Sequence, residues 1–268
     1  VQNMSSITNA KVKVYFFDNS GDIIRTMVDW VCPRGSQTFT LAAINNLPGR
    51  YVGSVRVESQ DWWSPGDPPV DAPYINAVVQ LRNSTTGEAT AYNALTGGAQ
   101  ALAIPLAVKG VRQPYQPPNV TWNTEISLQN VNFRPGITNV RLDFYDQNGY
   151  VTSVCQTLSS MDVDYIRLQD MGILPDGFDG SVVIVAVCTD QEGGAQLAAV
   201  AVERGTPLPA APVPQDLFKS FEAIPFDAGW YKPPVDTLAC PGCQLTDCPN
   251  AQVVFVLCDS NSSVYQGA

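Results

Sequence analysis

The chain repeats itself, and that constrains its fold more than any other feature. Val1-Gln2-Asn3 recurs as Leu128-Gln129-Asn130, and Phe16-Phe17-Asp18-Asn19-Ser20-Gly21 as Phe144-Tyr145-Asp146-Gln147-Asn148-Gly149. Leu47-Pro48 recurs as Leu174-Pro175, and Tyr51-Val52-Gly53-Ser54-Val55 as Phe178-Asp179-Gly180-Ser181-Val182. The shift is 127 or 128 residues each time. Residues 91–95 match 220–224 more weakly. Several matches in one order and at one spacing mark two homologous units.

The repeated unit reads as all-β. Residues 12–17 and 140–145 alternate with a period of two, as a strand with one buried face does. Each run ends in a Gly-bearing turn, 18–21 or 146–149, where glycine supplies the positive φ of a tight reversal. Further strands are predicted over 22–28 and 150–158, 37–41 and 164–168, 53–58 and 180–188, and 75–82 and 196–203. Short strands between turn signals, without helical heptads, predict a sandwich. The period fits one immunoglobulin-like domain of ~100 residues plus a connector. The expected fold class is therefore all-β, with two tandem Ig-like β-sandwich domains at 1–112 and 121–228. A stiff Pro-rich linker at 113–120 joins them, and a short disulfide-stapled, Cys-rich segment at 229–268 follows.

Trp122-Asn123-Thr124-Glu125-Ile126 leads into Leu128-Gln129-Asn130, then Phe144-Tyr145-Asp146 with Gly149, Leu174-Pro175 and Gly180-Ser181. This series resembles the tandem β-sandwich repeats of secreted surface proteins of filamentous, Chloroflexi-like bacteria. Ala91-Tyr92-Asn93-Ala94 followed by Ile104-Pro105-Leu106 suits the same pattern. The likeness spans roughly residues 1–225 and lies in turns and core positions. It implies an extracellular structural or adhesive module and carries no catalytic residue. The Cys-rich tail departs from it.

Composition narrows function by exclusion. The chain has no histidine, which removes Ser-His-Asp and Cys-His catalysis, His-ligated metals and a histidine pH switch. Lys and Arg number 15 against 25 Asp and Glu, a balance opposed to nucleic acid and anionic membrane surfaces. The longest apolar runs, 101–108 and 182–187, are strand-sized and far short of a bilayer span. No P-loop, Gly-rich dinucleotide turn or G-x-S-x-G elbow occurs. The reading is of a protein that is not an enzyme and needs no cofactor or metal. The carboxylate pairs Asp162/Asp164 and Asp176/Asp179 read as solvated turns rather than a glycosidase pair. Asp18–Asp22 and Asp146–Gly149 read as turn chemistry rather than calcium loops, since the closing Glu of an EF-hand is missing.

Of seven cysteines, Cys240, Cys243, Cys248 and Cys258 fall in the last 29 residues. The Cys-x-x-Cys there could begin a zinc knuckle, but no second one follows. The order is also the reverse of a plant-type iron–sulfur run. Disulfides in an oxidising compartment are the simpler reading. Two bridges are expected among these four, and a third between Cys155 and Cys188, both in predicted strands. Closing that ~33-residue loop is worth roughly 3–4 kcal/mol in the chain-entropy model. Cys32 is left over. Sequons at Asn3, Asn83, Asn119 and Asn261 permit glycans on a secreted surface.

Two features suggest partners. The adjacent Trp62 and Trp63, in a Pro-rich loop without a counterpart in the second repeat, could stack on a carbohydrate or pack over the sandwich edge. Trp30 and Trp122 read as core or edge plugs. The chain begins at Val1 rather than Met, as a processed or excised chain would, and within the counterpart of the second repeat's first strand, 121–126. An edge strand is therefore expected to be lacking in the first sandwich, which invites a strand from outside. Val253-Val254-Phe255-Val256-Leu257 is the candidate donor. The function expected is an extracellular, cell-surface or filament subunit that assembles head-to-tail with copies of itself or meets other surface proteins. The alternative is a carbohydrate-binding or adhesin module of a larger secreted protein.

Overall fold

The computed structural model describes residues 1–45, 47, 51, 53–60, 72–82, 89–112, 120–207, 217–232, 234, 257–258 and 264–265. The described chain is all-β. In order, its strands are β1 (Gln2–Asn3), β2 (Ala10–Asp18), β3 (Ile23–Val31), β4 (Gly53–Gln60), β5 (Ile75–Asn76), β6 (Val78–Arg82) and β7 (Ala89–Asn93). They continue as β8 (Ala101–Val111), β9 (Val120–Asn130), β10 (Ile137–Asp146), β11 (Gly149–Ser159), β12 (Val163–Arg167) and β13 (Phe178–Thr189). The last are β14 (Leu197–Pro207), β15 (Phe218–Glu222), β16 (Ile224–Phe226), β17 (Leu257–Cys258) and β18 (Val264–Tyr265).

The largest sheet runs β11-β10-β13-β8-β9-β14-β15, with β12 on β9 and β16 on β8. Its two halves meet at a corner where β8 and β9 share only the pairs Lys109–Asn123 and Val111–Trp122. Folding there brings β8, β10 and β13 face to face with β9, β12 and β14 around one core. Leu102, Ile104, Ile126, Leu128, Leu142, Phe144, Ile184 and Leu197 fill it. The arrangement is sandwich-like. A second sheet, β3-β2-β4, holds a smaller core of Val12, Val14, Phe16 and Val31.

The repeat is visible in detail. The hairpin β2–β3 turns at Asp18, whose carboxylate accepts the amides of Ser20 and Asp22, and β10–β11 turns at Asp146, which accepts that of Asn148. Such Asx turns account for both acidic loops. Tyr51 meets Phe16 edge-on, and Phe178 meets Phe144 in the same way. Gly53 opens β4, and its counterpart Gly180 is the third residue of β13. A Cβ at either would overlap a backbone carbonyl oxygen, that of Phe17 or of Tyr145.

Two expectations are corrected. The predicted strand at 37–41 is absent; its counterpart β12 lies on Glu125–Gln129 of β9, whereas β1 covers two residues, pairs with β5, and meets the segment leading into 37–41 only at the bridge Gln2–Ser36. The boundary expected at residue 112 assigns 101–111 to the first repeat. Yet β8 bonds to β13, β9 and β16, all later in the chain. A Pro in a central strand is tolerated at a bulge, and the β13 ladder shifts register at Pro105, between the pairs Gly180–Ala107 and Val182–Ile104.

Candidate interaction edge and polar face

The two repeats differ most where β8 stands. Val55 of β4 lies opposite Phe16, and Val182 of β13 lies opposite Phe144. Cross-strand partners share a face, and both rings are buried, so both valines point at a core. Val182 is 0% exposed and Val55 is 46% exposed. Val182 is covered because β13 is flanked by β8, where it pairs with Ile104. Among the described residues β4 has a single neighbour, β2. Further along the same face of β4, the buried hydroxyl oxygen of Ser59 has no hydrogen-bond partner. Six buried side chains form the core of the β3-β2-β4 sheet against nineteen in the larger core, counted among described residues. An open strand edge beside an uncovered apolar position is a place for another strand.

The repeated Gln-Asn has a structural task. Asn3 Nδ2 donates to the carbonyls of Thr8, Val31 and Cys32 at 2.7, 3.0 and 3.3 Å, and its Oδ1 accepts the amide of Ser5. Asn130 Nδ2 donates to Gln191 Oε1 at 2.8 Å and to the carbonyls of Ser159 and Leu158 at 3.1 and 3.4 Å, and its Oδ1 accepts the amide of Asn132. Both asparagines are fully buried, each tying the far end of a hairpin to a neighbouring strand. The sequon at Asn3 is thereby corrected as a glycan site in the folded protein, because its amide nitrogen is enclosed and already bonded.

A second polar cluster lies on the outer face of β10. Val140, Leu142 and Phe144 point into the core, so Arg141 and Asp143 face away from it. Both are nevertheless buried. Arg141 Nε donates to Asp143 Oδ2 at 2.9 Å. The hydroxyls of Tyr231 and Ser153 also donate to the Asp143 carboxylate. Tyr231 further meets the hydroxyl of Tyr145 at 2.6 Å. Burial and the adjoining carboxylate push the Tyr231 phenol far above its usual range. The period of two along β10 shows that this face turns away from the core but not that it is buried.

Cys155 lies opposite Arg141 and Cys188 opposite Asn139, on the two strands that flank β10. Both are disulfide-bonded, and Cys32 is free. The expected Cys155–Cys188 bridge is corrected. Two strands flanking a third are about 9–10 Å apart, and these residues are also offset by two positions along β10. A disulfide needs Cα atoms within about 7 Å.

Other expectations fall as follows. Trp122 is buried under Lys219, whose Nζ is 4.6 Å from the ring, whereas Trp30 is half exposed. Asp162 accepts the amide of Ser159 at its turn and Asp176 lies 3.2 Å from Lys109, whereas the turn reading is corrected for Asp164 and Asp179, which stand in strands β12 and β13. Glu125 accepts from the Tyr165 hydroxyl beside Arg204 and Arg167, and burial raises that phenol to about 12. Trp62, Trp63, Asn83, Asn119, Asn261, Cys240, Cys243, Cys248 and Val253, Val254, Phe255 and Val256 lie outside the described residues. Leu257 and Cys258 form β17, which pairs with β18, so the last residue of the candidate donor is paired within its own tail. Among the described residues no group of three His, Cys, Asp or Glu side chains could hold a metal ion, and no helix is long and apolar enough to cross a membrane.

The fold thus defines an all-β, sandwich-like protein. No family model matches the chain, and no curated protein matches it. A solved structure titled "Crystal Structure of Thermotoga maritima 1070" is similar at a TM-score of 0.35 and 11% identity, over 48% of this chain and 96% of that one. A likeness at that level carries no weight for fold or function.

Proposed function

We propose that this chain is a non-enzymatic extracellular structural or interaction protein, a surface or filament subunit whose first β unit takes a strand from a neighbouring copy. In this reading the two repeats are Ig-like sandwiches, and the first is completed in trans. The observation that carries it is Val55, a core-facing residue left 46% exposed where its counterpart Val182 is sealed. A donated strand beside β4 satisfies the edge's backbone groups and lays alternate apolar side chains over Val55. The donor is the apolar stretch Val253–Leu257, whose last residue, Leu257, lies in a ladder only two pairs long at β17–β18. Head-to-tail contact of this kind does not close by two-fold symmetry and so builds a chain of subunits. Disulfide-bonded Cys155 and Cys188 support an oxidising, extracellular setting.

Light scattering over a concentration series tests this. The intact chain should form species larger than a monomer, and Val254→Lys with Val256→Lys should abolish them while leaving the circular dichroism spectrum unchanged. Assemblies that persist in the double variant refute the donor. A chain that stays monomeric at all concentrations refutes the function.

A further inference from the structure

The two repeats touch each other through different surfaces. The β2–β3 turn of the first sits on the β11–β12 turn of the second. The Asn19 carbonyl accepts the Val163 amide at 3.2 Å, and a Cβ at Gly21 would come within 2.5 Å of the Ser160 carbonyl oxygen. Beside them Gln129 Nε2 donates to Ser54 Oγ at 2.6 Å, and the Arg56 guanidinium lies over the Phe133 ring. The first repeat thus offers Asn19, Gly21 and Ser54, and the second offers Gln129 with residues 160–163.

The repeat supplies each surface a second time. Asn19 and Gly21 recur as Gln147 and Gly149, and Ser54 recurs as Ser181. Both glycines have positive φ, 79° and 114°. The opposing surface recurs as Gln2 with residues 33–36. There the Gly35 amide donates to the Cys32 carbonyl as Asp162 does to Ser159, and Asn3 donates to Gly35 as Asn130 does to Asp162. Arg34 and Met161 share a left-handed conformation, φ 57° and 64°. Gln2 faces Ser36 as Gln129 faces Val163.

These second surfaces do not meet each other within the chain. Among the described residues nothing lies within 4 Å of a Cβ at Gly149, and the nearest atoms to one at Gly35 belong to Cys32 of its own turn. Gln2, Arg34, Ser36, Gln147 and Asn148 are exposed. A two-fold relation between the repeats would seat Gly149 on residues 33–35 as Gly21 is seated on 160–162, because an isologous contact uses both copies of each surface. The contact is therefore heterologous, and one surface of each kind is left over.

We infer that the surface of Gln147, Gly149 and Ser181 docks on the Gln2 and 33–36 surface of a second copy of this chain, repeating between copies the contact that joins the repeats within one. The Ser36 amide then donates to the Gln147 carbonyl, and the Gln2 side-chain amide to the Ser181 hydroxyl. This rests on the head-to-tail reading above but uses no part of the C-terminal segment. Each copy presents one surface of each kind, so the contact propagates as a ring or an open chain.

Thiol cross-linking tests it. In a Cys32→Ser background, Ser36→Cys and Gln147→Cys are placed on separate chains, mixed and treated with a short bifunctional maleimide. A heterodimer should form, and a chain carrying both substitutions should give a ladder of multiples on a denaturing gel. Asn19→Cys with Val163→Cys, the same pair inside one chain, should link within the monomer. Gly97→Cys, exposed and touching neither surface, should give no heterodimer in place of Gln147→Cys. Equal yields with Gly97→Cys, or no heterodimer while the Asn19–Val163 pair links, would overturn the inference. A ladder that survives Val254→Lys with Val256→Lys supports this contact and refutes only the donated strand. Large species on light scattering without a ladder refute this contact and leave the donated strand standing.

Discussion

Replacing Asn130 is the sharpest probe of how the repeat holds itself together. An amide NH2 has two hydrogens, so of the three main acceptors around Nδ2 it satisfies Gln191 at 2.8 Å and Ser159 at 3.1 Å best. Oδ1 adds the amide of Asn132 at 3.2 Å. Asn130→Ala therefore removes three buried hydrogen bonds, at about 1 kcal/mol each, for a loss of about 3 kcal/mol. Asn130→Asp is a stricter test. It keeps the shape but turns a donor into an acceptor facing Gln191 Oε1 and two carbonyls. Burial and those oxygens disfavour its charge, so the folded state raises the new carboxyl's pKa above the unfolded value. Its stability then is greatest at low pH and falls as pH rises through the folded pKa. At neutral pH Asn130→Asp should be less stable than Asn130→Ala, and the order should narrow or invert on acidification. Urea unfolding followed by tryptophan fluorescence measures both, because Trp122 is buried on the same strand, β9. A loss below about 1 kcal/mol for the alanine variant, or an aspartate variant no worse than alanine at pH 7, would refute the argument.

Three further outcomes are expected. Gly180→Ala forces a Cβ onto the Tyr145 carbonyl oxygen and should cost more than about 2 kcal/mol in a urea melt, as overpacking against backbone does. The Tyr51 phenol, buried and hydrogen-bonded to the Phe17 and Ser54 carbonyls, is raised to about 12, as is Tyr165. A folded pKa above the unfolded value of 10 gives stability that is intact below pH 10 and lost as pH rises toward 12, so thermal melts should be flat from pH 8 to 10 and fall beyond, less steeply in Tyr51→Phe. Val182→Ala should cost about 1.6 kcal/mol, two buried methyl equivalents at ~0.8 kcal/mol each, and the half-exposed Val55→Ala clearly less in the monomer; equal losses would mean that Val55 is covered after all.

Much of the fold was legible because the repeat fixes register. Residues 12–17 and 140–145 alternate by two, and the structure places Val12, Val14 and Phe16, with Val140, Leu142 and Phe144, inward. The aspartate turns followed from the same alignment. What could not be read was long-range partnership. Residues 101–111 form a strand whichever repeat they join, and only hydrogen bonds spanning some seventy residues show that β8 closes the second core. The misplaced boundary and the exposure of Val55 are one fact seen from two ends, since among the described residues the strand that seals Val182 has no counterpart beside β4.

The polar face failed to show for a related reason. Alternation tells which side of a strand faces the core, not whether the other side stays wet. Arg141 and Asp143 occupy positions that would suit solvent, and their mutual 2.9 Å contact alone would be a weak surface pair. Covered by Tyr231 and bonded to Ser153, the same pair becomes a satisfied buried network, which makes it costly to break from either side. Tyr231 is thus tied to the second repeat by polar contacts with Asp143 and Tyr145. Among the described residues β8 flanks β13 in the second repeat, whereas β4 has β2 alone beside it, and in the proposed function that asymmetry is what would give the pair of units a direction in which to assemble.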